Sequence, residues 1–143
     1  MPAVHASILV NSRPHDVFAF ITDARNQWRW QPTLTAIEGF PDAPLQVGAS
    51  WLEIRRFGGR VRNIYVTLTD HRAPASLGFT GDLGGIVVKG RFVFEAVGNA
   101  TRVTQHMQFR GRGLMVFLAP LIARQSREEM QSNLERLRAT LSN

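Results

Sequence analysis

A single long amphipathic helix, placed last and behind about eighty residues of strand-and-turn sequence, limits most what this chain can fold into. Met130, Leu134, Leu137 and Leu141 recur at spacings of four, three and four residues, one apolar stripe of a helix. Glu128, Glu129, Glu135, Arg136 and Arg138 take its other faces. A lone helix laid on a large sheet fills the space beneath it less completely than several helices would. The order of parts therefore predicts a cavity.

Upstream, Val4, Ala6, Ile8 and Val10 alternate with His5, Ser7 and Leu9, the period of a half-buried strand. Ser12 is the expected cap of a following helix, with Pro14 and Asp16 in its first turn and Val17, Phe18, Phe20 and Ile21 on its apolar face. Asp23 is expected to open a second short turn that runs through Asn26 to Trp30 and stops at Pro32. Residues 34–40 read as a weak strand. Stronger ones follow at 51–57, 61–70, 77–80, 86–96 and 101–109, separated by Gly58-Gly59, Arg72-Ala73-Pro74, the glycines at 81–85 and Gly98-Asn99. Strands in unbroken succession predict an antiparallel meander. From Leu114 the pattern turns helical, and its start is apolar on several faces, with Pro120 beginning or kinking the helix.

The chain reads as one domain over residues 1–143, 44% apolar and 20% charged. The absence of cysteine excludes disulfides, thiolate metal sites and a cysteine nucleophile. Residues 1–7 show no signal-peptide pattern, and the apolar run at 113–123 falls far short of the roughly 20 residues a spanning helix needs. A cytoplasmic protein without a transmembrane segment is the expectation. The net charge of +6 comes from scattered arginines, densest at 55–62 around Gly58-Gly59. No aromatic side chains interleave with that cluster to stack on bases, so it reads as a solvated hairpin tip and nucleic acid is not expected as a partner.

Five stretches in this order resemble a known superfamily. They are Ser12-Arg13-Pro14-His15-Asp16-Val17-Phe18-Ala19-Phe20-Ile21-Thr22-Asp23 with Trp30-Gln31-Pro32, then Val47-Gly48-Ala49-Ser50-Trp51, then Asp70 to Leu77, then Asn99 to Thr104, and the closing helix. The chain resembles the START-like, birch-pollen-allergen-like (SRPBCC) superfamily, and within it the polyketide cyclase/dehydrase-type branch. The resemblance implies an α+β helix-grip fold. A roughly seven-stranded antiparallel sheet would wrap around a long C-terminal helix, with two short helices between strands 1 and 2. It also implies an apolar pocket for lipids, sterols, quinones or polyketides.

Strand alternation nominates the pocket lining. Trp51, Phe79, Phe92, Phe94, Met107 and Phe109, with Phe117 and Leu121 from the last helix, would as a set form an apolar ligand-binding chamber, although any one of them taken alone reads sooner as plain core. The polar candidates are Glu53, Tyr65, Asn63, Arg62 and Gln105. Glu53 shares a strand face with Trp51, and a carboxylate beside indole in a dry pocket would serve as a general acid or base. Tyr65 would orient a ligand carbonyl or move a proton. His15 and His71 are expected to be exposed. His5 and His106 fall on strands that the superfamily pairs, on the polar face. No histidine or acidic spacing argues for a metal, no Gly-x-Ser-x-Gly for a serine hydrolase, and no cofactor is implied. The reading is a binder of a small hydrophobic molecule. The alternatives are a metal-independent cyclase or dehydratase using Glu53 or Tyr65, and an accessory protein that dimerises or meets a membrane surface through the apolar start of the last helix.

Overall fold

In the computed structural model, residues 2–57 and 59–142 are described. Strand β1 (Ala3–Val10) leads to helix α1 (Pro14–Thr22), a 3-10 turn (Ala24–Asn26) and helix α2 (Gln27–Trp30). Six strands then follow without an intervening helix: β2 (Leu34–Glu38), β3 (Ser50–Phe57), β4 (Arg60–Arg72), β5 (Ser76–Asp82), β6 (Ile86–Val97) and β7 (Ala100–Gly111). A second 3-10 turn (Gly113–Phe117) precedes helix α3 (Ala119–Leu141). All strand pairs are antiparallel, and the sheet order is β1-β7-β6-β5-β4-β3-β2. This is the seven-stranded helix-grip arrangement that the resemblance implies.

The meander places β1 and β2 at opposite edges, so α1 and α2 must carry the chain from one edge to the other. Register shifts between Leu34 and Ala36 and between Leu68 and Asp70 bend the β2–β5 side. On the edge strand β1, Ala6, Ile8 and Val10 are buried and Leu9 is exposed, as alternation requires. β3 and β4 form the expected hairpin, Phe57 facing Arg60; Gly58 of its turn lies outside the described residues. His5 pairs with His106 on the exposed face, their rings 5.9 Å apart.

The core follows from these faces. Val17, Phe18 and Ile21 of α1 pack with Phe94, Val103, Leu134 and Leu137, and the last two are fully buried. Each such leucine contributes about 1.5–3 kcal/mol by leaving water. A second apolar group joins Ile86, Val88 and Phe109 to Ala119 and Ala123 under the start of α3. The cap of α1 differs from the expectation. Arg13 occupies the cap position without a side-chain bond, and the carbonyl of Ser12 instead accepts the buried Thr101 hydroxyl at 2.7 Å. Asp23 caps as expected, accepting the Arg25 backbone N–H at 3.0 Å. The Arg25 guanidinium, which also donates to Asp23, and that backbone bond hold the Asp23 carboxyl below its ordinary range. His71, expected to be exposed, is half-buried with the Phe18 ring edge-on at 5.3 Å.

Candidate functional site

Between the concave face of the sheet and α3 lies a cavity of about 180 Å³. Period two brings Trp51, Glu53 and Arg55 of β3 to its wall, with Ile64, Val66 and Leu68 of β4 beside them. Ser126, Glu129, Met130 and Asn133 reach it from α3, and their i, i+3, i+4, i+7 spacing is a single helix face. Of the eight apolar residues nominated from sequence, Trp51, Phe79, Phe92, Met107 and Phe109 line the cavity.

The other three lie elsewhere. Phe94 shares the inward face of β6, but α1 covers it. Its ring meets Phe18 edge-on at 5.5 Å and is core, not lining. Phe117 is 78% exposed and Leu121 51% exposed. The inward face of α3 is carried by Ala119, Ala123, Met130 and Leu134, which turns Leu121 to solvent. Phe117 belongs to the 3-10 turn, not to a helix started at Leu114.

Glu53 faces the cavity, but it is not a lone carboxylate against indole. The Trp51 indole N–H donates to Glu53 Oε2 at 3.0 Å, and Arg55 donates to Glu53 Oε1 through Nε at 2.9 Å and Nη2 at 2.7 Å. Both side chains of this ion pair are nearly buried, 15% and 14% exposed. Arg55 also donates to Thr33 Oγ1 at 3.1 Å and to Gln31 Oε1, and the Thr33 hydroxyl donates to Glu129 Oε1 at 3.0 Å. Gln31 in turn donates to Gln27 Oε1 at 2.7 Å. A hydrogen-bonded chain thus runs from α2 across β3 to α3 along one side of a mainly apolar chamber. Charges this far from water persist only when paired and bonded in this way.

Tyr65 is 69% exposed on the outer face, because its neighbours Ile64 and Val66 take the inward positions. Asn63 and Arg62 are exposed as well. Gln105 does line the cavity, with Nε2 donating to Met107 Sδ at 3.4 Å. Among the described residues no three His, Cys, Asp or Glu side chains gather as metal ligands, and no helix is long and apolar enough to cross a membrane.

Sequence reasoning missed Arg55, which its charge groups with the solvated arginines at 55–62. Period two from Trp51 through Glu53 was the signal that would have moved it inward. It also missed Trp30, which is 1% exposed on the cavity wall with its indole nitrogen unpartnered among the described residues. Gly90 was missed too. It faces Phe79 across the β5–β6 ladder, and a Cβ there would meet the Phe79 ring, at 2.5 Å from Cε2. Its missing side chain is what lets the ring lie flat on the sheet.

Comparison with known proteins follows the same lines. Among solved structures, a crystallised protein of Thermus thermophilus superposes with TM-score 0.79 at 17% identity, covering 98% of this chain and 97% of that one. A START superfamily protein from Mycobacterium smegmatis gives 0.79 at 10% identity, covering 98% and 97%. The di-domain ARO/CYC BexL from the BE-7585A biosynthetic pathway gives 0.78 at 17% identity, covering 99% of this chain and 47% of that one. These likenesses show the fold. No curated protein matches the sequence significantly. The sequence model of the family described as "Polyketide cyclase / dehydrase and lipid transport" matches residues 1–142. With that match spanning nearly every residue, the chain belongs to the polyketide cyclase/dehydrase and lipid transport family.

Proposed function

We propose that this protein binds a small, mainly apolar molecule in the cavity between its sheet and α3. The observation that carries the reading is the chamber of about 180 Å³ walled by Trp51, Phe79, Phe92, Met107 and Phe109, with its polar groups confined to a few stations. An apolar cavity of about 150 Å³ holds benzene in another protein. By that scale the ligand has one substituted ring, or two fused rings once a flexible wall residue such as Met107 gives way. Apolar burial supplies the affinity, and the ligand's polar end lies toward Arg55 or toward the unpartnered Trp30 N–H. The family's description and the ARO/CYC name of one structural neighbour support an aromatic or polyketide-like ligand.

Titration with 1-naphthol, followed through the fluorescence of Trp30 and Trp51, tests this. At about 0.5 kcal/mol per non-hydrogen atom, its roughly eleven atoms give a Kd on the order of 100 μM. Saturable quenching lost in Met107→Trp, which would fill the chamber, is the expected result. Quenching that never saturates, or that Met107→Trp leaves unchanged, would remove the reading.

A second reading is favoured by the buried carboxylate: a cyclase or dehydratase working in the same chamber, with Glu53 carrying the proton. Glu53 Oε1 accepts twice from Arg55, whereas Oε2 accepts only the Trp51 N–H and keeps a lone pair for a substrate proton. Glu53→Gln separates the two functions: naphthol binding stays within about threefold, the loss of one modest hydrogen bond, while turnover of a polyketone substrate disappears. Equal turnover by Glu53→Gln would remove Glu53 as the proton carrier.

A further inference from the structure

Among the described residues, exposed large apolar side chains gather at the junction between β7 and α3. Leu114 is 84% exposed, Phe117 78%, Val116 52% and Leu121 51%. These side chains are held outward by a fixed scaffold. The turn at Gly113–Phe117 is tied to the sheet by Arg112 N–H donating to the Gly85 carbonyl at 2.9 Å, and it closes on itself through Met115 N–H to the Arg112 carbonyl at 3.0 Å. Its backbone at Met115 passes so close over Gly111 that a Cβ there would collide with the Met115 carbonyl. Met115 alone folds inward, against Gly85. The same packing that buries Met115 therefore projects Leu114, Val116 and Phe117 into solvent.

The charge around this tip is one-sided. Residues 110–127 contain four arginines and no aspartate or glutamate. Arg110, Arg112, Arg124 and Arg127 are all exposed, and Arg124 stands one turn beyond Leu121 on α3. Asp82 on β5 pairs with Arg112 at 3.5 Å. A second copy of the chain docking on this face by two-fold symmetry would oppose arginines to arginines. An exposed apolar turn with exposed arginines before and after it in the chain matches instead the headgroup boundary of an anionic bilayer, where large side chains enter the acyl region and arginines meet phosphates.

We propose that the Gly113–Phe117 turn and the first turn of α3 form a docking face for an anionic lipid surface. Ala119, Ala123 and Met115 behind it pack on Val88, Phe109 and Leu83, which also line the cavity. Docking thus sets one end wall of the chamber against the membrane, a route for apolar ligand exchange. That last consequence rests on the cavity reading above; the docking itself does not.

The test is co-sedimentation of the full chain with vesicles of phosphatidylcholine containing phosphatidylglycerol, against vesicles of phosphatidylcholine alone. Binding is expected to the mixed vesicles and to be at least about tenfold weaker on the neutral ones or in high salt. Arg112→Gln with Arg124→Gln should weaken it about 25-fold, at about fivefold per arginine. Leu114→Ser with Phe117→Ser should weaken it by about tenfold or more. All four positions are exposed, so unchanged melting temperatures are expected, and naphthol uptake without vesicles should be unaltered. Wild-type protein that takes up naphthol but ignores the mixed vesicles overturns the docking face and leaves the cavity reading standing. Vesicle binding without naphthol uptake does the reverse. Docking is also overturned by Leu114→Ser/Phe117→Ser binding as wild type, by equal affinity for soluble polyglutamate, or by a dimer that those two substitutions dissociate.

Discussion

Replacing Gly90 by alanine should shrink the cavity without touching any polar group. The new Cβ would lie 2.5 Å from Phe79 Cε2 and 3.1 Å from Cε1, against the 3.5–4.0 Å at which carbons rest. The ring must withdraw by about 1 Å. Phe92 stands with its ring centroid 6.0 Å away on the same face, so the free direction is into the chamber. Overpacking of this kind costs about 1–3 kcal/mol. At about 3 °C per kcal/mol for a chain of this length, the melting temperature should fall by about 3–9 °C. A ring moved by about 1 Å takes roughly a methyl-sized slice from the chamber, about 0.8 kcal/mol of ligand burial, so naphthol should bind about fourfold more weakly. Thermal melts and fluorescence titrations measure both quantities on the same sample. Adding Phe79→Leu to Gly90→Ala should recover part of the lost stability, because a smaller side chain tolerates the methyl and the two changes are not additive. If Gly90→Ala melts and binds like the wild type, the ring does not depend on that glycine and the account of how the chamber is kept open fails.

Three further outcomes follow from the cavity wall and the α1–α2 turn. Arg55→Met strands the Glu53 carboxylate in a wall where it is 15% exposed, and should cost about 3 kcal/mol in urea denaturation, whereas the double variant Glu53→Gln/Arg55→Met should cost clearly less than the sum; a loss no larger than that of exposed Arg56→Met would refute the pairing. Trp30→Phe should weaken binding of 1-naphthol by about two- to tenfold more than that of naphthalene, since both ligands feel the lost volume and only the naphthol loses a donor; an equal loss for both ligands would show that the indole N–H meets no ligand oxygen. The Asp23 carboxyl is held below its ordinary range, so its stabilisation is complete above the unfolded-state value and is lost as pH falls through the lower folded one. Solvent reduces that contribution to a few tenths of a kcal/mol, so Asp23→Asn should cost that much near neutral pH and nothing in strong acid; a deficit that persists at about pH 2 would contradict it.

What could be read from the chain was whatever depends on local period. The alternation on each strand, the stripe of α3 and the turn glycines sufficed to order the elements. They also placed Trp51 and Glu53 on one face, because neighbours two apart on a strand cannot be separated. Position within a face was not readable. Phe92 and Phe94 are equivalent by alternation, yet one lines the cavity and the other lies under α1, and only the path of α1 between the edge strands distinguishes them. Arg55 was misplaced because its charge outweighed its period. The structure gives it three acceptors, on Glu53, Gln31 and Thr33, and the latter two come from a segment about twenty residues away in sequence.

The apolar residues after Gly113 invited the same error in the opposite sense. Hydrophobicity suggested lining, and a contact between Gly111 and Met115 turned Phe117 outward instead. In both cases composition pointed to the wrong side of the wall, and backbone geometry set by glycines or strand pleat decided. The polar bonds in the chamber and the apolar tip outside it therefore have a common origin. Once α3 is laid on Val88 and Phe109 through its Ala119 and Ala123, with Met115 as the wedge, the chain has room inside for a ligand and none for Phe117. A substitution that filled Gly111 would be felt at both places, displacing the tip and loosening the Val88–Phe109 wall behind it.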